Sequence, residues 1–422
     1  MCTLQKLVIG MLGLNEHILR IREVVKNKAT MQMYRTKNTY FTRHTAKLTF
    51  EKLIAFVLGN NRNSAQVALN NFFRNSEEEV VAKQTLFEAR DKISYKAFAD
   101  LSDMVVDNFY RDDDAMTYKG YTLLGVDGSL FQAPQGALST FGGQKSAKCD
   151  SVSAQARALV ICDVLNRIIV HSTLRPVADG ERKLFLDILG KLRHFERPLM
   201  IFDRGFYAKE LADAINEKGG SFLFRIKNNC QKAIDAANAA DQVVVIGDLS
   251  LRILNIILPT GEVEKLATNI FDDKFTASDF AAIYAKRWGV ETSYLMVKER
   301  LAIENFTSAK KNLMLQDFHA AIITYNLMEI ACMEQEAKRQ VERTDVNRKY
   351  KQTANRNIVA HEIRACLLSV MLESNHRKID KQMAQIHRII YRFFKDVRPG
   401  RSNPRKPIFP SKKYPMNQKR NL

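Results

Sequence analysis

The sequence predicts an α/β fold: a sheet-built core, interrupted by a β-rich insertion and flanked by helical regions at both ends. Three observations carry that expectation. Apolar residues recur at three- and four-residue steps from about Leu14 to Tyr110, and again beyond Leu315, which is the period of helices packed by one face. Between Tyr118 and Lys227 short apolar runs alternate with helical stretches. From Asn228 to about Thr276 apolar and polar residues alternate, as in half-buried strands.

In the first helical region, LTFEKLIAFVLG and NSAQVALNNFF read as amphipathic helices. SEEEVVAKQTLFEARDKISYKAFADLSDMVVDNFY opens on a Ser and acids, which suit a helix N-terminus. YTLLGVDGSLFQAP then reads as a strand, apolar up to Val126, that presents Asp127 to Gly128 and Ser129. An unpaired buried carboxylate is costly, so Asp127 is either functional or a turn Asp with a local backbone bond. ARALVICDVLNRIIVHSTL is a predicted hairpin turning near Leu165 to Arg167, with Asp163 as its turn acid. Gly180 to Phe195 is a predicted helix. Leu199 to Phe202 is a continuous apolar run, the mark of a strand covered on both faces, and Asp203 ends it before Gly205. Open α/β sheets carry their sites at such carboxyl ends. Tyr207 to Lys218 reads as the next helix and FLFRIKNN as a further strand. In the insertion, Pro259-Thr-Gly261 is the expected hairpin turn. LQDFHAAIITYNLMEIACMEQEAKRQ is strongly helical and expected to pack on the sheet, and more helix is expected from about Val359 to Lys395.

Composition narrows the function. A chain of 422 residues can bury more than one core. Its net charge of +19 favours a polyanionic partner, because each neutralised phosphate releases a counterion. No apolar run of about 18 residues is present to span a bilayer. The run LVIGMLGL has a thin basic flank and no small-residue cleavage site after it, so it reads as helix. Six scattered cysteines without C-x-x-C, and histidines without an H-x(3–5)-H pair, argue against a disulfide framework or structural zinc and fit a reducing cytoplasm.

The stretch IYAKRWGVETSYLMVKERL, Ile283 to Leu301, concentrates the chemistry. On one regular helix, Tyr284, Arg287, Glu291 and Lys298 would share an arc of roughly 60°. A metal-holding carboxylate among phosphate-holding cations has this composition, and so does a solvated helix face with ordinary ion pairs.

The spacing Y-x(2)-R-x(3)-E-x(6)-K, with Trp288 after Arg287, resembles the signature of DDE-type insertion-sequence transposases of the insertion-sequence-four family. GVDGS around Asp127 and FDRGF around Asp203 look like the settings of that family's two aspartates, and the likeness extends over roughly Leu48 to Lys338. The resemblance implies an RNase H-like catalytic core in two parts, 116–227 and 277–345, around a β-rich insertion at 228–276. It implies a helical DNA-binding region at 1–115, where Lys83, Gln84 or Arg90 would be contacts. A C-terminal helical region at 346–396 and a basic disordered tail at 397–422 complete the chain. Asp127, Asp203 and Glu291 would be both catalytic residues and ligands of Mg²⁺, with Mn²⁺ as the alternative. Tyr284, Arg287, Trp288 and Lys298 would contact DNA, and Arg204, Arg225 and Lys227 are further phosphate candidates. The implied partners are double-stranded DNA, as terminal inverted repeats and target, and a second copy in the synaptic complex, with no membrane. The implied setting is the bacterial cytoplasm at the nucleoid. Relatives place a base-stacking tryptophan in the insertion; here Phe271 or Phe275 would have to replace it. Two other functions share much of this pattern: an RNase H-like nuclease that does not join strands, and an inactive protein that only occupies transposon ends.

Overall fold

The computed structural model describes residues 13–43, 46–59, 64–74, 78–111, 115–146, 149–192, 195–258, 260–342 and 349–398. They divide into two compact units. One is built on a sheet and comprises Ala115–Phe131 and Ala156–Leu295; the other is mainly helical and holds the remainder.

In the sheet unit the strands are β1 (Thr122–Gln132), β3 (Cys149–Asp163, entering from the other unit), β4 (Ile168–Pro176), β5 (Pro198–Phe202), β6 (Ser221–Arg225), β7 (Asp241–Ile246), β8 (Leu249–Ile257) and β9 (Val263–Thr268). They lie in the order β4-β3-β1-β5-β6-β9-β8-β7. β1, β5 and β6 are parallel, whereas β3–β4 and the β6-β9-β8-β7 run are antiparallel. The predicted hairpin turn is present: Arg167 takes a φ of +58°, and buried Asp163 accepts the N–H groups of Leu165 and Asn166 at 3.0 and 3.1 Å. Asp163 is therefore a turn acid.

Leu199 to Phe202 are all buried, as a continuous apolar run requires. On one face Leu123, Leu199, Ile201 and Leu223 pack with Phe280, Ile283 and Tyr284 of the helix Ala277–Lys286. On the other, Phe202 stacks on Phe224 at 4.6 Å and meets the edge of Phe185 at 5.0 Å, which anchors the helix Glu181–Leu189. Burial of each such ring is worth about 1.5–3 kcal/mol. This helix stops at Leu189, short of the predicted Phe195.

The β-rich stretch does not form a layer of its own. β9 pairs with β6, Leu223 opposite Thr268, so its three strands continue the core sheet and cover an edge that would otherwise be open. Gly261, at a φ of +83°, closes the β8–β9 turn with its N–H on the Leu258 carbonyl at 2.8 Å; Pro259 lies outside the described residues.

The helical unit centres on the 31-residue helix Lys311–Val341, buried almost all round from Leu313 to Met333. A helix apolar on every side must be enclosed, and here Lys96–Phe109, Arg356–Leu372 and Phe50–Gly59 pack on it. It is thus the core of the helical unit, whereas the expected division placed it in the second part of the sheet-built core. Helices from before residue 115 and from after residue 345 build this one unit together, where separate regions were expected. β2 (Gly143–Ser146), paired with the first half of β3, and the short pair β10 (Gln352–Ala354) and β11 (Phe394–Asp396) also belong to it.

Three further expectations are corrected. Arg90, proposed as a DNA contact, is fully buried: its guanidinium bonds Asp317 at 2.9 Å, Gln316 at 3.1 Å and Thr307 at 2.6 Å. Its sequence position, seven residues after Lys83 on a short helix, gave no sign of partners more than two hundred residues away; Lys83 and Gln84 are exposed. Glu78 and Glu79, the described acids of the run after Ser76, are not in a helix. Glu78 and Glu79 pair with Lys52 and Lys47, and the helix begins at Lys83. The Val359–Lys395 helix is two helices, Arg356–Leu372 and His376–Arg392, the second capped by Asn375. The run Leu7 to Leu14, apart from its last two residues, and the basic tail beyond Arg398 lie outside the described residues. Among the described residues no helix is long and apolar enough to cross a membrane.

Candidate active site

Parallel pairing of β1 with β5 sets Val126 opposite Phe202. Asp127, within β1, and Asp203, just after β5, are the next residues on each, so the two acids stand at the same level, with backbones roughly 4.8 Å apart. Both are half-buried. β5 gives way to the turn that holds Gly205, whereas β1 continues through Gly128 to Gln132 where a turn was expected after Asp127.

The helix Ala277–Lys286 brings in the next group. Thr276 and Asp279 form a capping box at its start, and Asp279 is also held by the Tyr118 hydroxyl at 2.6 Å and the Lys119 ammonium at 2.8 Å. Phe280, Ile283 and Tyr284, at helical spacing, seat it on the sheet. From that seat the Tyr284 hydroxyl donates to Asp203 Oδ1 at 3.1 Å.

At Arg287 the helix turns and a second one, Trp288–Leu295, begins; Met296–Arg300 then forms a π turn. One regular helix through all four signature residues is therefore not what forms. A π turn adds a residue per turn and shifts the angular position of everything after it. Lys298 lies on this turn, in the helical unit. Tyr284, Arg287 and Glu291 lie in the sheet unit with both aspartates.

The second helix crosses β1 closely at Gly125. A Cβ built on Gly125 would stand 2.2 Å from Val290 Cγ2 and 2.9 Å from Val164 Cγ1. One turn on, the Tyr294 hydroxyl donates to the Asp127 carbonyl at 2.7 Å and to that of Ala158 at 3.3 Å. Glu291 sits between these two anchors, which brings it to the Asp127 side of the site. Gly125→Ala is expected to overpack this crossing and cost about 1–3 kcal/mol, read as a lower denaturation midpoint at unchanged slope.

Arg287 is almost fully buried and is the common counter-charge. Its Nη2 donates to Glu291 Oε1 at 2.8 Å, its guanidinium lies 5.6 Å from the Tyr284 ring centre, and its Nε has no hydrogen-bond acceptor. Burial pushes the Asp127 carboxyl up to about 7; Arg287 and the Gly128 N–H oppose the rise, while Glu181 and Glu291 add to it. Asp203 differs. Burial raises it, but the Arg204 N–H, Arg287, the Tyr284 hydroxyl and Arg225 together hold it below the usual carboxylate range. Two adjacent acids are thereby set apart by their neighbours.

Arg204, Arg225 and Lys227 line one groove of about 970 Å³ together with Asn228, Asn229 and Asn255. Arg225 is committed to Glu264 at 2.8 Å, whereas Arg204 and Lys227 are exposed. Trp288 is exposed as well. Of the two phenylalanines considered for base stacking, Phe275 is buried against Tyr121 and is excluded by that burial, while Phe271 is exposed.

Two residues of the site escaped the sequence reading. Tyr294 looked like a core aromatic, although its hydroxyl supports the Asp127 backbone. Glu181, in the first turn of its helix, is bonded by Arg157 at 2.6 Å and fills the space that a side chain at position 128 would need: a Cβ on Gly128 would lie 2.3 Å from its carboxyl carbon. The Gly directly after Asp127 was the available signal for a close neighbour. Among the described residues no three carboxylates stand close enough to enclose a cation, and Glu291 is engaged by Arg287.

Residues 118–327 match the family described as transposase DDE domain. The chain is 30% identical over 151 residues to the putative transposase y4zB of Sinorhizobium fredii (strain NBRC 101917 / NGR234), a match covering 31% of this chain and 42% of that one. Among solved structures, the piggyBac transposase synaptic complex with hairpin DNA is similar at a TM-score of 0.47 and 12% identity, over 92% of this chain and 87% of that chain. That likeness is too slight to bear on the site.

Proposed function

We propose that this chain is an insertion-sequence transposase of the insertion-sequence-four type, which cuts DNA at the ends of its element and joins the freed 3′-hydroxyl to target DNA. The observation that carries the proposal is that Asp127 and Asp203 directly follow the last paired residues of two neighbouring parallel strands, with Glu291 on the helix anchored there by Val290 and Tyr294. The strand order β4-β3-β1-β5-β6, an antiparallel hairpin followed by three parallel strands, supports an RNase H-like core.

The carboxylates fit a hard divalent cation. Asp127 is an acid whose charge burial and two acidic neighbours disfavour, a cost that a bound cation removes. Asp127, Asp203 and Glu291 would hold Mg²⁺ or Mn²⁺, which when bound stabilises charge on the attacking and departing oxygens of a phosphodiester. For Glu291 to join the other two, its bond to Arg287 has to open. The guanidinium so released, with its Nε already lacking an acceptor, would grip a DNA phosphate. Tyr284 orients Asp203, and Arg204 and Lys227 would guide the backbone along the groove. Synapsis of two ends would need two copies of the chain, and DNA binding would keep the protein at the nucleoid.

The test uses plasmid DNA for cutting and a duplex with a precleaved 3′-hydroxyl for joining. Nicking should require Mg²⁺ or Mn²⁺ and disappear in Asp203→Asn. Nicking that persists in that variant would remove the assignment. Nicking without any joined product would reduce the protein to a nuclease.

A further inference from the structure

The helix His376–Arg392 of the helical unit has two sharply different faces. Ile379, Met383, Ile386 and Ile390 are buried within the unit. At about 100° per residue, Arg377, Lys378, Lys381, Arg388 and Arg392 fall within an arc of roughly 100° on the opposite side. All five are exposed, and no acid falls in that arc; Asp380, the helix's one acid, lies some 60° outside it. Arg377, Lys381 and Arg388 form no ion pair among the described residues. Lys378 has only Glu373 at 3.8 Å, and Arg392 only the ring of Phe393 at 5.8 Å. Like charges four apart, as in Arg377 with Lys381 and Arg388 with Arg392, cost a helix about 0.2–0.5 kcal/mol per pair. A face meant only for water would interleave acids to avoid that cost.

We propose that this face is a docking surface for the phosphate backbone of duplex DNA, separate from the carboxylate site; it rests on the reading above that the chain acts on DNA. The five cations extend over about 22 Å, a length along which one strand of a duplex presents about six phosphates. Ala384 and Gln385, between the two groups of cations, are small or neutral and leave the approach open. In sequence, Arg398 to Leu422 holds eight Lys or Arg and no acid. An anionic membrane is the competing polyanion. An interfacial helix needs an apolar face to insert, and here that face is already buried in the protein.

The experiment follows binding of a labelled duplex of arbitrary sequence, about 30 base pairs long, by fluorescence anisotropy as salt rises from about 50 to 200 mM. For R377Q/K381Q/R388Q the slope of log affinity against log salt should become shallower by about 2.7, which is 0.9 for each lost contact. A control, K183Q/K191Q/K218Q, should keep the wild-type slope. Metal-dependent nicking at saturating protein should survive in the triple variant, since none of its positions belongs to the carboxylate site. An unchanged slope in a variant that melts like wild type would overturn the proposal and leave the transposase reading standing. A wild-type chain that neither binds nor nicks DNA would overturn both. Loss of binding to vesicles containing phosphatidylserine, with DNA binding intact, would make the face a membrane surface and overturn the proposal. Should the triple variant melt early, R377Q/R388Q is read in its place, with an expected slope change of about 1.8.

Discussion

An Asp127→Asn chain is expected to lose metal-dependent DNA cleavage by about 10³-fold or more, some 4 kcal/mol of barrier, and yet to melt at a higher temperature than wild type at pH 8. Both effects have one cause. Asp127 stands within β1, where burial, Glu181 and Glu291 disfavour its charge more than Arg287 and the Gly128 N–H support it, which pushes its carboxyl up to about 7 from an ordinary 3.8. The folded chain then holds this proton more tightly than the unfolded one. Stability falls as pH rises from about 4 to about 7, the cost is complete above about 7, and it vanishes below about 4. At about 1.4 kcal/mol per pKa unit the cost is at most about 4 kcal/mol, and less where water reaches the carboxyl. The neutral amide escapes it, so the gain in melting temperature should be largest at pH 8 and shrink toward pH 4 when metal is absent. Added Mg²⁺ should raise the melting temperature of wild type by binding the folded state and do far less for the variant. Melting curves across that pH range, with and without Mg²⁺, check the claim. Identical melting temperatures at pH 8 would mean that Asp127 bears no such burden and is not part of a cation site.

The sequence was most informative where a backbone constraint and a chemical one coincide. An apolar run ended by Asp and a nearby Gly reads as a buried strand opening into a turn; β5 conforms, whereas β1 runs on through Asp127 and Gly128 to Gln132, because pairing and not the local Gly decides where a strand stops. Glu291 stands out in the sequence through its neighbours at fixed spacing, but its bond to Arg287 and the helix break before it were not legible there. The helix break at Arg287, beside Gly289, and the π turn at Met296–Arg300 accompany two packing contacts that a spacing does not reveal: Val290 against Gly125, and Tyr294 under the Asp127 backbone. Arg90 misled for a related reason. A cation on a short amphipathic helix is ordinarily solvated, and only the fold supplies Asp317, Gln316 and Thr307 to enclose it. Glu181 was one acid among many at a helix start; its importance depends on β1 and its helix meeting at Gly128. The central helix Lys311–Val341 announced its burial by being apolar on every side, but which unit it would fill could not be read from that.

Replacement of Arg287 by Met should be nearly as damaging, in a way that separates two roles of one side chain. The guanidinium bonds Glu291 at 2.8 Å and lowers the carboxyls of Asp127 and Asp203, so its removal leaves three acids without their shared counter-charge. Breaking a buried pair typically costs 3–5 kcal/mol; with Glu291 about one-third exposed, about 2–3 kcal/mol is expected here. A divalent cation can supply the missing charge. Saturating Mg²⁺ should therefore restore more stability to Arg287→Met than it adds to wild type, whereas a loss due only to packing would leave the two increments equal. Cleavage should not recover with it. A phosphate facing the site needs donors, and loss of a well-placed one costs about 10²–10³ in rate. Arg287→Lys separates the two roles further, since it keeps the charge while losing the planar fork. It should regain most of the stability and little of the cleavage. A Lys variant that cuts DNA as fast as wild type would show that a point charge suffices, and that the guanidinium's unfilled Nε donor has no part in holding the phosphate.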